Sequence, residues 1–302
     1  VLNVGLDLLF IVVFRWGVAG AAIATVTAQL LSTIGCFIYA FSKYPELRLH
    51  REDWRITGSD ICRHVVQGVP LGLQFSVLAI GIIVMQSVIV KFDMLDGVMV
   101  SNAAQNGFGA ANKLNNLLMT PLNGLGAAMT SFTAQNLGAG DGLRIRKGTL
   151  QGMLLMAVTA GLSIGIGLLL TINGAYLHLF LSADKITEET IRFGNTYLYV
   201  DLSMYLFLGG IFVWRNCVQG IRKPQFVLGA GAAELVARVA VCLLLPAALA
   251  GGEVNALAPD SALLALCFAD PMAWVAADLV LIVPVVRNIF KNDYRYLRKV
   301  EL

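Results

Sequence analysis

Charged side chains are scarce in this chain: Asp, Glu, Lys and Arg together make up 14% of its 302 residues, against about 25% in an ordinary soluble domain. Apolar residues make up 57% and the mean hydropathy is +0.73. That balance excludes a water-soluble domain and indicates a membrane protein. The five cysteines, Cys36, Cys62, Cys217, Cys242 and Cys267, show no CxxC spacing. They read as small apolar fillers, not as a disulfide or metal framework. His50, His64 and His178 are isolated, and zinc-site spacing, a nucleophilic triad and a P-loop are all lacking. An ATP-driven pump would need its nucleotide site elsewhere. An initiator methionine is also lacking. Val1 opens inside an apolar run with no charged segment before it, so truncation of a longer chain is expected over a cleaved signal peptide.

Crossing a bilayer as a helix takes roughly 20 apolar residues. Such runs lie at about 18–43, 64–92, 104–132, 147–172, 190–216, 225–250 and 271–290, and seven complete spans are expected in an all-α integral membrane protein. Residues 1–15 would rise only about 22 Å as a helix, so they are read as the remainder of an eighth. Sixteen Lys and Arg side chains lie in or beside the 43–63, 138–147 and 217–224 connections and the C-terminal tail. Only Arg15, Lys91, Lys185 and Arg192 lie in the alternate connections. By the positive-inside rule the first set, with the C-terminus, faces the cytoplasm. These basic runs are short and tied to helix ends, so no nucleic-acid partner is expected. The lipid bilayer is the expected surrounding, and the chain is expected to act as a monomer.

Polar residues inside the apolar runs are the candidates for function. The first two helices turn at Arg15-Trp16-Gly17, with Asp7 nine residues before Trp16 and Thr25 nine after it. In an antiparallel pair of equal rise these share one depth, roughly 13 Å from the turn. Asn3 and Gln29, each thirteen residues from Trp16, form a second rung. Asn3 with Asp7, and Thr25 with Gln29, are i, i+4 pairs on single helix faces. A carboxylate at this depth without a basic neighbour either takes a proton or binds a cation. Its oxygen-only surroundings suit a hard cation such as Na⁺. Interhelical hydrogen bonding is the plainer alternative.

Glu234 and Arg238, in AAELVARV, stand in the favourable i, i+4 order for a structural ion pair, and Asp278 is expected to extend it. If the two helix pairs repeat one scaffold, this copy is internally neutralised and the first is open to an external ion. Asn112, Asn116, Thr120 and Asn123 follow a helical stripe with Lys113 beside it. Together with Gln67 and Gln74 on the preceding helix they are expected to line a substrate cavity. Asp201, flanked by Tyr199 and Tyr205, is a further intramembrane acid that could support coupling. Pro70, Pro121 and Pro246 mark expected bends. Asp141, at the end of GAGD, reads as the N-cap of the next helix.

PLNGLGAAMTSFTAQNLGAGD (121–141), WRNCVQGIRKPQ (214–225), AAELVAR (232–238) and PMAWVAADL (271–279) resemble segments of the multidrug and toxic compound extrusion (MATE) transporters. LNVGLDLLFI followed by GVAGAAIATVTAQ is similar to their fifth and sixth helices. The resemblance implies a two-lobe, twelve-helix fold without catalysis, here lacking four helices and the start of a fifth. Residues 1–43 would close the amino-terminal lobe, 44–63 would be a cytoplasmic linker, and 64–302 would form a six-helix lobe with a short tail. It also implies a coupling cation, H⁺ or Na⁺ and no other cofactor, held by Asn3, Asp7, Thr25 and an acid outside this sequence. Some branches carry an acid eight residues after the proline of the seventh helix, where this chain has Leu78. The implied function is cation-coupled antiport that exports drugs or other small organic compounds, often cationic. A lipid-linked oligosaccharide flippase of related fold, a membrane enzyme and a passive scaffold are the alternatives.

Overall fold

The computed structural model describes residues 2–47, 50 and 55–291, apart from the side chains of Glu46, Arg63 and Gln67. Its contacts divide the chain into two compact units, Val1–Cys62 and Arg63–Leu302.

In the first unit a short helix, α1 (Leu2–Asp7), continues as a π-helical segment, Leu8–Val13. A turn then leads into α2 (Gly17–Lys43). The turn is sharp because Arg15 and Gly17 take left-handed φ angles of 52° and 57°. Phe10, Phe14 and Trp16 stack beside it. Ala24 and Ala28, one turn apart on α2, are buried, while most of the larger side chains of the unit are exposed. Small residues at this spacing let two helices approach where lipid supplies no hydrophobic drive.

The second unit contains α3 (Gly58–Lys91) from residue 63 onward, α4 (Ala103–Gly138), α5 (Gly142–Thr171), the short α6 (Leu177–Phe180), α7 (Glu188–Ser203), α8 (Tyr205–Gly220), α9 (Pro224–Ala250), α10 (Asp260–Cys267) and α11 (Ala269–Val285). A two-residue hairpin of β1 (Met94–Leu95) and β2 (Val98–Met99) joins α3 to α4. Its Asp96-Gly97 turn has the positive φ pair, 51° and 78°, that a tight hairpin requires. Asp93, just before it, accepts from the backbone N–H groups of Ala104 and Gln105 at 3.0 and 2.9 Å and so caps α4 from a distance. Asp141 accepts from Arg144 N–H at 2.9 Å, as a cap for α5 should.

Helix α4 packs along α5, α7 and α8, and α11 packs along α8 and α9. Beyond the basic first turns of α5, composition does not distinguish its faces. Its buried side is marked instead by Gly148, Gly152, Met156, Ala160, Ser163 and Gly167, a small-residue stripe of the kind that brings membrane helices together. A Cβ at Gly152 would sit 2.6 Å from the sulfur of Met129 on α4, so that approach depends on glycine.

Each of the seven expected spans is helical. Among the described residues, five helices are long and apolar enough to cross a membrane, namely those at 17–43, 58–91, 142–174, 224–250 and 260–290. The expected span at 190–216 is instead two helices, α7 and α8, bent by 55° at Met204. Helix α4 has 36 residues, ample length, but its amide stripe keeps it less apolar than the others. The bend does not fall at any of the three expected prolines: α3, α4 and α9 run unbroken through Pro70, Pro121 and Pro246.

Candidate functional site

Each unit holds a set of polar side chains. In the first, Asn3 Nδ2 donates to Thr25 Oγ1 at 3.3 Å, and Thr25 donates in turn to the Ala21 carbonyl at 3.0 Å. Asp7 lies one turn beyond Asn3, and its Oδ1 is buried with no hydrogen-bond partner. Gln29 is exposed. Asn3 is thus paired with Thr25 and not with Gln29, a slip of one turn from equal rise. The π-helical segment acts in that direction, because wider turns advance less per residue and draw Asn3 toward the hairpin turn.

The second unit holds an open cavity of about 440 Å³. Asn112, Asn115, Asn116, Met119, Asn123 and Ala127 line it from α4. At 100° per residue these span about 120° of the helix, from Asn115 to Ala127. Thr120 and Lys113 fall outside that arc and outside the lining. Thr120 bonds back to the Asn116 carbonyl at 3.1 Å. The Lys113 ammonium lies 5.9 Å from the Phe180 ring centroid. Both were expected in the cavity, and the narrower arc excludes them. From α3 come Gln74, whose Oε1 is buried and unpartnered, and Leu78. The side chain of Gln67 lies outside the described residues.

An ionic network occupies one wall. Arg238 Nη2 lies 2.8 Å from Asp270 Oδ1 and 3.3 Å from Glu234 Oε1, and Arg215 Nη2 lies 2.7 Å from Glu234 Oε2. The Glu234–Arg238 pair matches the sequence expectation, but its third member is Asp270 and not Asp278. Eight residues along α11 amount to about 12 Å, and Arg238 meets the helix at the level of Asp270. Asp278 Oδ1 is buried without a partner, and the carboxylate packs against Gly210, where a Cβ would lie 3.0 Å from Oδ2. Arg215, counted with the cytoplasmic basic residues from sequence, is instead mostly buried in this network.

The network continues to the bend. Tyr197 donates to Asp270 Oδ2 at 3.0 Å. Asn115 donates to Asp201 Oδ2 at 2.7 Å and accepts from the Tyr205 hydroxyl at 2.5 Å. One α4 side chain thereby ties both arms of the broken span, which accounts for a bend with no proline beside it. Tyr197 and Tyr205 flank Asp201, whereas Tyr199 is exposed. Sequence reasoning missed Asp270, Asn115 and Tyr197. The available signals were a second acid in the last apolar segment, an asparagine next to Asn116, and a tyrosine four residues before Asp201 on the same helical face.

A multi-pass bundle around a polar, ion-paired cavity, with a broken helix beside it, has the architecture of a transporter. The comparisons agree. A family model described as MatE matches residues 81–244. The probable multidrug resistance protein YpnP of Bacillus subtilis (strain 168) is 31% identical over 222 residues, covering 72% of this chain and 46% of that protein. An outward-facing MATE family multidrug resistance transporter of the MOP superfamily superposes with a TM-score of 0.74 at 17% identity, over 96% of this chain and 61% of that one. A MOP superfamily transporter from Pyrococcus furiosus Vc1, described as having a binding pocket of reverse polarity that suggests a different function, gives 0.76 at 17% identity, over 97% and 61%. The chain belongs to the MatE family, the multidrug and toxic compound extrusion proteins, which are transporters and not enzymes. It spans about half the length of the curated relative and about three-fifths of the solved structures.

Proposed function

We propose that the intact protein is a cation-coupled antiporter of the cytoplasmic membrane that exports drugs or other small organic compounds. Two lobes alternate access about the 44–63 linker, and Asp7 exchanges H⁺ or Na⁺ against substrate. The observation that carries this reading is the hydrogen bond from Asn3 to Thr25 beside a carboxyl oxygen of Asp7 that is buried and unpaired. A buried carboxylate without a cation is costly, and a proton or a hard monovalent ion removes the cost. The cavity of the second unit supplies amides for hydrogen bonding and apolar walls such as Phe75, Phe212 and Trp274 for the substrate body. Its two arginines are matched by Glu234 and Asp270, which is a poor fit to the strongly anionic carrier of a lipid-linked oligosaccharide flippase. The asymmetry of Lys and Arg supports a cytoplasmic linker and C-terminus.

The test is Asp7→Asn in the intact protein, reconstituted in vesicles with an imposed pH or Na⁺ gradient. Gradient-driven substrate export is expected to disappear while membrane insertion is retained. Uphill export that survives the substitution would overturn the reading. Separate pH-jump and Na⁺-jump assays then identify the ion.

A further inference from the structure

In the second unit the acids that approach one another already have a cation between them. Arg238 is almost completely buried, and its Nη2 is shared between Asp270 Oδ1 and Glu234 Oε1. The remaining oxygens of those two acids are also engaged, Asp270 Oδ2 by Tyr197 and Glu234 Oε2 by Arg215. Among the described residues, the ionisable groups around the guanidinium are Tyr197 and Asp201 from α7, Arg215 from α8, Glu234 and Cys242 from α9 and Asp270 from α11. The cavity faces of α3 and α4 contribute amides but no ionisable side chain. Among the described residues no three His, Cys, Asp or Glu side chains converge as a metal site.

The surroundings also make room for the guanidinium. A Cβ at Gly81 on α3 would lie 3.0 Å from Arg238 Cδ and from Nη1, so only glycine leaves the arginine its present path. Its Nε is buried and unpartnered. The side chain is therefore held by the two carboxylates through its tip. A cation carried on the protein's own helix loses no translational freedom on binding, whereas a free ion must. It outcompetes a dissolved monovalent ion for the same oxygens.

We propose that Arg238 is a built-in cation that occupies, in the second unit, a site with the ligands of a monovalent cation: Asp270, Glu234 and the Tyr197 hydroxyl. The native unit binds no exchangeable ion there, and removal of the guanidinium opens the site to Na⁺. This goes beyond the coupling reading, since it concerns a site that the native chain keeps closed.

The experiment measures bound ²²Na⁺ on the purified intact protein at pH 8 in an Asp7→Asn background. Arg238→Gln is expected to add about one Na⁺ per chain above that background. Arg238→Lys, which keeps a fixed charge, is expected to add none, and Asp270→Asn placed on Arg238→Gln is expected to remove the gain. A folded Arg238→Gln protein with no added Na⁺ overturns the proposal. If that variant does not fold, Asp270→Asn alone decides: unchanged Na⁺ binding relative to the native chain supports a closed site, and a loss of bound ion overturns it. If Asp7→Asn leaves native ion binding intact, the coupling reading fails, while the gain on removing Arg238 is still read above that baseline.

Discussion

Arg238 on α9 and Asp270 on α11 join two apolar helices of the second unit through a 2.8 Å ion pair. Asp270 then passes the connection to Tyr197 on α7 at 3.0 Å. Breaking a buried pair by removing one partner typically costs about 3–5 kcal/mol, because the survivor remains charged and unsolvated. The pair therefore fixes how α7, α9 and α11 meet, and its surroundings are sensitive to small changes.

Gly81 is the first such place. Gly81→Ala puts a methyl group 3.0 Å from Arg238 Cδ and Nη1, and the overpacking is expected to destabilise the protein by about 1–3 kcal/mol. Gly161→Ala on α5, where a Cβ meets nothing within 4 Å, is expected to leave stability unchanged or raise it by about 0.4–1 kcal/mol. Thermal unfolding of the two variants in detergent checks the contrast. Equal midpoints would contradict it.

Asn115 and Asn112 line the same cavity but are held differently. Asn115→Leu removes the amide that donates to Asp201 and accepts from Tyr205; Tyr205 keeps the Asn115 backbone carbonyl at 3.3 Å, while the orphaned Asp201 oxygen costs about 1–3 kcal/mol. Asn112 Oδ1 bonds only Asn116 on its own helix, at 2.8 Å, so Asn112→Ala is expected to change stability by less than about 0.5 kcal/mol. Its effect is expected on substrate export instead. Unfolding and export measured on the same preparations separate the two roles.

Asp93 is fully buried and serves the first turn of α4. Asp93→Ala is expected to cost about 0.5–2 kcal/mol, the usual loss for an N-terminal cap. Hydrogen exchange at Ala104 and Gln105 should accelerate, with Asp93→Asn, which keeps one acceptor, in between. Unchanged exchange at those two amides would rule out the cap.

The features legible in the sequence depend on neighbours along the chain. The helical segments follow from apolar runs and the cap at Asp141 from the GAGD turn. The Glu234–Arg238 pair follows from one turn of helix. Where legibility failed, the deciding contact came from another helix. Lys113 lies only about 20° beyond Thr120 on the helical wheel, and nothing local shows that the cavity arc ends before both. The prolines pointed to bends at 70, 121 and 246, but the bend is at Met204, where Asn115 holds Asp201 and Tyr205 from across the bundle.

Composition and local pattern determined that this chain is a helical membrane protein, with Asp7 and Asp201 as costly acids within apolar surroundings. A carboxylate in hydrocarbon must find a partner, and the sequence can state that need. Which partner meets it depends on helices far apart in the chain. Tertiary structure alone assigned Asp270 to Arg238, set Asp278 against Gly210, and placed Thr25 beside Asn3, because a side chain's reach of a few ångströms is decided by how helices are stacked and turned.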